Sequence, residues 1–125
     1  FRLSEQYLIR AEARANQKNY SGASKDLSDL RRARFQGGNG TISVSEQNWL
    51  EIIEEERVRE LYMEGFRLQD LKRWHKGFER KPQEQSLTNG SSLKIEADDV
   101  RFVWPIPKHE LESPGSQIQP NESNK

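Results

Sequence analysis

From Ser45 to Met63 the chain carries a helical signature that leaves few other conformations open to it. Trp49, Leu50, Ile53, Val58, Leu61 and Tyr62 recur at helical spacing, while Glu54, Glu55, Arg57 and Arg59 fall largely on the other side. Ser43 and Glu46 have the spacing of a capping box, so the pattern predicts a helix over residues 45–63. Gly65 suits a break, after which Phe66, Leu68, Leu71 and Trp74 form a fourth helical run ending before Gly77. A strand alternates its faces with period two and cannot gather these residues on one side. Residues 45–76 therefore read as a helical pair.

Upstream, Tyr7, Leu8, Ala11 and Ala15 recur at helical spacing, and Ser21 restarts a run with Ala23, Leu27, Leu30 and Ala33. Joined at Asn19-Tyr20, the two runs make a hairpin over residues 1–36. Tyr7, Ala11, Ala23 and Leu27 fall on the large and small positions of a tetratricopeptide repeat. A repeat of this kind buries its faces on neighbours, and one alone is not stable. Composition leads the same way: apolar content is 32%, or about 38% with the 8 glycines, against roughly 45–50% in globular domains. The apolar stripes are expected to pack on further polypeptide. Phe1 is not an initiator Met, and the chain opens inside a helical pattern, so position 1 reads as a cut.

The rest is less periodic. Gly37-Gly38-Asn39-Gly40 is a loop. Residues 78–99, with Pro82 and Asn89-Gly90, read as a long surface excursion in which Leu93 to Ile95 suits a short strand. Residues 100–112 read as an extended segment, its apolar run Val100 to Trp104 stopped by Pro105-Ile106-Pro107 and packed on the helices. Residues 113–125 read as a solvated coil tail. Trp49, Tyr62, Phe66, Trp74, Phe102 and Trp104 are assigned to apolar contacts, which leaves Tyr20, Phe35 and Phe78 for exposure.

Several functions are disfavoured. Lys and Arg number 20 against 20 Asp and Glu, so no long-range field attracts nucleic acid or an anionic membrane. Without cysteine there is no disulfide, thiol nucleophile or thiolate metal site. No stretch approaches the roughly 20 apolar residues of a membrane span. His75 and His109 lack ligand-type partners at helical spacing, the glycine loop lacks the Lys-Ser/Thr of a phosphate-binding loop, and Asp98-Asp99 lacks the further oxygens of a calcium loop. No cofactor is expected. The aromatic and basic run Arg73 to Arg80 reads as a helix C-terminus whose cations complement the dipole.

Among the carboxylates, Glu56, Glu60 and Glu64 recur at i, i+4 and i+8. They project side by side, whereas glycoside hydrolysis needs two carboxylates facing each other across the bond. They read instead as part of a structural charge network with Arg57, Arg67, Asp70 and Arg73 that knits the third and fourth helices, through Arg57 to Glu60, Arg67 to Asp70 and Asp70 to Arg73.

Three segments together resemble the SusD/RagB family: Tyr7-Leu8-Ile9-Arg10-Ala11-Glu12-Ala13, the run from Glu56 to Trp74, and Pro105-Ile106-Pro107-Lys108-His109-Glu110. The middle one matches the family's ER-x-x-EL-x-x-EG-x-R-x-x-DL-x-R pattern at every defined position. Gln117-Ile118-Gln119-Pro120-Asn121 only approximates the Gln-Asn-rich turn that ends many members. The resemblance implies that residues 1–125 are the C-terminal region of a larger, mainly α protein with a SusD-like α-α superhelix. It implies a non-enzymatic, surface-exposed outer-membrane lipoprotein of a Bacteroidetes-type bacterium, held by an N-terminal lipid anchor, that binds an oligosaccharide or other nutrient beside a SusC-like TonB-dependent transporter. Ligand-binding positions are not carried over, because the family's sugar contacts lie largely upstream of this region. This stretch alone is expected to bind oligosaccharide weakly or not at all. The other reading is a tetratricopeptide scaffold that binds a peptide; the surface excursion and the Trp-Pro-Ile-Pro segment have no place in a plain helical repeat.

Overall fold

The computed structural model describes residues 2–35, 37, 40–81 and 93–124. The protein is mainly α, and its residues fall into two compact units that divide between Phe66 and Arg67.

In the first unit, α1 (Leu3–Asn16) and α2 (Tyr20–Arg34) form the expected hairpin. Leu8, Ala11 and Ala15 face Ala23, Leu27 and Leu30, and all six are buried. The small alanines bring the helices close, as the tetratricopeptide-like spacing requires. The link is Gln17 to Asn19. Lys18 ends α1 with a left-handed backbone (φ 61), its N–H bonding Ala15 O at 2.9 Å and Asn19 N–H bonding Arg14 O at 2.8 Å. Asn19 then caps α2 by accepting from Gly22 N–H at 3.0 Å.

Residues 40–44 run in extended form along α2, with Gly40, Ile42 and Val44 buried in alternation. Serine hydroxyls of α2 hold this run. Ser28 Oγ accepts from Ile42 N–H at 2.9 Å, and Ser24 Oγ accepts from Val44 N–H at 2.8 Å.

The third helix, α3 (Trp49–Glu60), lies inside the expected span but begins later. Ser43 and Glu46 form no capping box at its start. Residues 46–48 make a turn in which Asn48 Oδ1 accepts from Ser45 N–H at 2.7 Å. Its faces also differ from expectation: Ile53 and Leu61 are buried as predicted, yet so are Glu56 and Arg57, while Val58 and Tyr62 are exposed, Tyr62 to 74%. The apolar and charged positions of α3 are only weakly segregated, and the arginines of the hairpin draw the glutamate side inward.

In the second unit, α4 (Arg67–Arg73) buries Asp70 and Leu71. Gly65 breaks the chain before it, as expected, with φ 82. The helix ends as α1 does: His75 is left-handed (φ 52), His75 N–H bonds Lys72 O and Lys76 N–H bonds Leu71 O. β1 (Phe78–Glu79) and β2 (Lys94–Ile95) pair antiparallel, with Phe78 opposite Ile95. Gly77 passes so close to β2 that a Cβ there would stand 2.2 Å from Ile95 O. The central part of the expected surface excursion, with Pro82 and Asn89-Gly90, lies outside the described residues.

Residues 100–112 are not one extended segment. Val100–Phe102 form a 3-10 turn, Val103 to Pro107 are extended, and Lys108–Leu111 make a short helix, α5. Only Phe102 of the apolar run is buried, and Trp104 is 82% exposed. The tail is not simple coil either, since Glu122–Asn124 turn back on the Pro-Ile-Pro segment. Asn124 brackets Ile106 by accepting from its N–H at 3.0 Å and donating to its O at 2.9 Å, while Asn121 Nδ2 donates to Trp104 O at 3.0 Å.

Candidate functional site

Two arrangements in the first unit bring functional groups together: a ladder of ion pairs and a groove beside it. The ladder is built partly by spacing. Glu56 and Glu60 lie one turn apart on α3 as expected, whereas Glu64 falls in the turns after the helix ends, past the left-handed Met63, so its i+8 placement is not helical; each of the three still meets an arginine of residues 1–36. Glu56 pairs with Arg31 and also with Arg59, Glu60 pairs with Arg34 at 2.5 Å, and Glu64 pairs with Arg2 at 2.5 Å. Arg2 also donates to Glu60 O at 2.7 Å. Arg34 is the main reason that the Glu60 carboxyl lies below its usual range; Ser4 and Arg2 act in the same direction, against partial burial.

These partners come from far along the chain and were not among the pairs expected from spacing. Arg57 is buried in α3 beside Glu56, and Glu60 reaches Arg34 of α2 and Arg2 at the start of α1. In the second unit, Asp70 is buried and held by Arg73, whose Nε and Nη2 each stand 3.0 Å from Oδ1. Arg67 is exposed on α4. The Arg73 guanidinium also lies over the Trp74 ring, 4.3 Å from its centroid.

A further charge centre, outside the sequence expectations, joins the two hairpin helices. Asp26, 1% exposed, receives Arg10 through Nε at 3.0 Å and Nη2 at 2.7 Å, and Arg14 Nη1 lies 2.7 Å away. The Arg10 guanidinium is raised in pKa by that bond and lies over the Tyr7 ring at 5.0 Å. A signal for it existed: Asp26 stands among Ala23, Leu27 and Leu30 on the apolar side of α2, and Arg10 and Arg14 are one turn apart on α1.

The groove opens between the start of α1 and the end of α2, with a volume of about 380 Å³. Leu3, Tyr7, Leu30 and Ala33 give it apolar walls. Arg2, Ser4, Asp29 and Arg34 add polar groups. Asp29 is held charged, below the usual carboxyl range, chiefly by Lys25 at 2.5 Å and also by Arg32 at 3.0 Å. Ser4 Oγ is buried without a hydrogen bond of good geometry, although it is close enough to Glu60 to favour that group's charge.

Of the aromatics expected to be exposed, Phe35 is, while Tyr20 and Phe78 are half-buried. Tyr62 and Trp104 are the exposed rings that apolar assignment missed. No described helix is long and apolar enough to cross a membrane, and no group of three or more potential metal ligands occurs among the described residues.

The described residues of the first unit thus make a helical hairpin backed by a third helix whose carboxylates pair with arginines of the hairpin. The SusD family model matches residues 1–122, and the chain belongs to that family. Its members are in general nutrient- and glycan-binding outer-membrane lipoproteins, and binding proteins rather than enzymes. They pair in general with SusC-like transporters. Neither a curated protein nor a solved structure gives a significant match.

Proposed function

We propose that this chain is the C-terminal region of a surface lipoprotein that captures oligosaccharide and delivers it to a SusC-like, TonB-dependent outer-membrane transporter. The observation that carries the reading is the family match over residues 1–122. The ion-pair ladder supports its non-enzymatic part. Glu56 and Glu60 lie one turn apart on α3 with Glu64 just beyond it, and each is paired with an arginine rather than set opposite another carboxylate across a cleft. In this reading Glu56, Arg57, Glu60, Glu64, Arg67, Asp70 and Arg73 stabilise the fold and do not touch the glycan. A lipid anchor at the N-terminus of the parent protein holds it at the outer membrane.

The test is purification of the parent lipoprotein from outer membranes. A TonB-dependent transporter is expected to co-purify, and its absence under conditions that preserve other membrane complexes contradicts the partnership.

A further inference from the structure

We infer that the groove between α1 and α2 is a subsite for one neutral pyranose ring, either a free monosaccharide or the end of a chain. The inference rests on the glycan-binding reading above and places one contact of that function within these residues.

Size sets the first limit. A volume of about 380 Å³ lies near the lower end of the roughly 300–1,000 Å³ of small-molecule sites. One ring fits such a space and an extended oligosaccharide does not. Surface chemistry sets the second. A pyranose has apolar C–H patches and a rim of hydroxyls, and the groove offers the matching halves: Leu3, Tyr7, Leu30 and Ala33 for the patches, and Ser4, Asp29 and Arg34 for the hydroxyls.

Charge decides against an ionic ligand. Arg2 is neutralised by Glu64, Arg34 by Glu60, and Asp29 by Lys25 and Arg32. Each charged group of the lining has a counter-charge, and the one cation in excess comes from Lys25 and Arg32, exposed side chains outside the lining whose field solvent screens, while hydrogen-bonding capacity remains. Arg34 meets Glu60 through Nε and Nη2, and a guanidinium has donors beyond these two nitrogens' bonds. Asp29 takes one bond on each oxygen from Lys25 and Arg32, and a carboxylate accepts about four. The buried Ser4 hydroxyl, lacking a well-formed bond, gains one from a sugar hydroxyl. The polar groups are also held in place by their ion pairs, so little ordering is needed on binding.

The experiment is an amide-resolved NMR titration of this chain with glucose, galactose and mannose, and with glucuronate as the charged control. Ala33 is exposed at the groove wall, so Ala33→Trp fills the space without disturbing the core. Ser4→Ala removes the hydroxyl and serves as the second variant. At least one neutral hexose is expected to shift signals of Ser4, Tyr7, Leu30 and Ala33, with affinity lowered about tenfold or more by Ala33→Trp.

Hexose shifts that map elsewhere and survive both substitutions overturn the inference and leave the glycan-binding reading intact. Glucuronate binding more tightly than the neutral sugars overturns the neutral class. A flat titration with every sugar also overturns it, whereas the reading itself is judged separately by titrating the parent lipoprotein. If Ala33→Trp instead changes only self-association in sedimentation, the groove packs polypeptide and the inference fails.

Discussion

Up to Phe66 the molecule is held by side chains that pack at helical spacing, whereas from Arg67 onward it is held mainly by polar groups that grip the backbone. Leu8, Leu27 and Ile53 are fully buried in the first part. In the second, Leu71 and Phe102 are the buried apolar residues among those described, and Asn121 and Asn124 bond the main chain around Trp104 and Ile106. Packing of the first kind repeats with the helix and leaves a pattern in the sequence. Backbone gripping needs only one residue in the right place and leaves almost none.

The largest expected effect sharpens that contrast. Leu27→Ala removes a side chain with no exposure and is expected to lower stability by about 2–5 kcal/mol, since a cavity forms where the helices meet. Denaturant unfolding checks it, and a loss under about 1 kcal/mol would place the core elsewhere. In the second unit, Asn124→Ala removes both bonds to Ile106 and is expected to cost about 1–2 kcal/mol. Hydrogen exchange should quicken at Ile106 while the amides of α1 and α2 keep their protection.

Acid separates the regions differently. Glu60 is held below its usual pKa by Arg34, and Asp99 is pushed down to about 2 by Arg101. A carboxyl lowered on folding contributes stability that is present above its unfolded value and lost as pH falls through its folded value. Stability from both pairs should therefore be full at neutral pH and decline below about pH 4. Glu60 is the more enclosed of the two, its side chain 10% exposed against 18% for Asp99, and it meets both Arg34 and Arg2, so Glu60→Gln should flatten the acid profile more than Asp99→Asn does. An acid-unfolding series of the two variants measures this.

The smallest effect concerns helix ends. Lys18 and His75 both take a left-handed backbone that glycine adopts without strain. Lys18→Gly is expected to stabilise by about 0.5–1 kcal/mol. His75→Gly should gain less, because His75 Nδ1 also bonds Asp98 Oδ1 at 2.8 Å. Melting temperatures of the two variants compare them, and equal gains would mean that the His75 contact contributes nothing.

These particulars show where sequence was enough. The hairpin was readable because Ala11, Ala15, Ala23 and Leu27 must all face one way. Glu56 and Glu60 were readable as neighbours from spacing, but not the helix end that sets Glu64 apart, nor the partners Arg2, Arg31 and Arg34, which lie far away in sequence. Helix α3 misled because a buried Glu56 beside a buried Arg57 overrode its apolar pattern. The two helix ends without glycine, the late start of α3 at Trp49 and the asparagine clamp carried no periodic signal. The apolar neighbours of Trp104 point to packing, yet with its backbone pinned the ring is exposed. For the groove, Tyr7, Leu30 and Ala33 were legible as helix residues, but not the space between them.

Calorimetric titration of the parent lipoprotein and of this chain, with one panel of glycans, tests the central claim most directly. The account predicts saturable binding by the parent with the glycan recovered intact, and weaker binding by this chain. No binding by the parent to any glycan, or release of reducing ends during the titration, would contradict it.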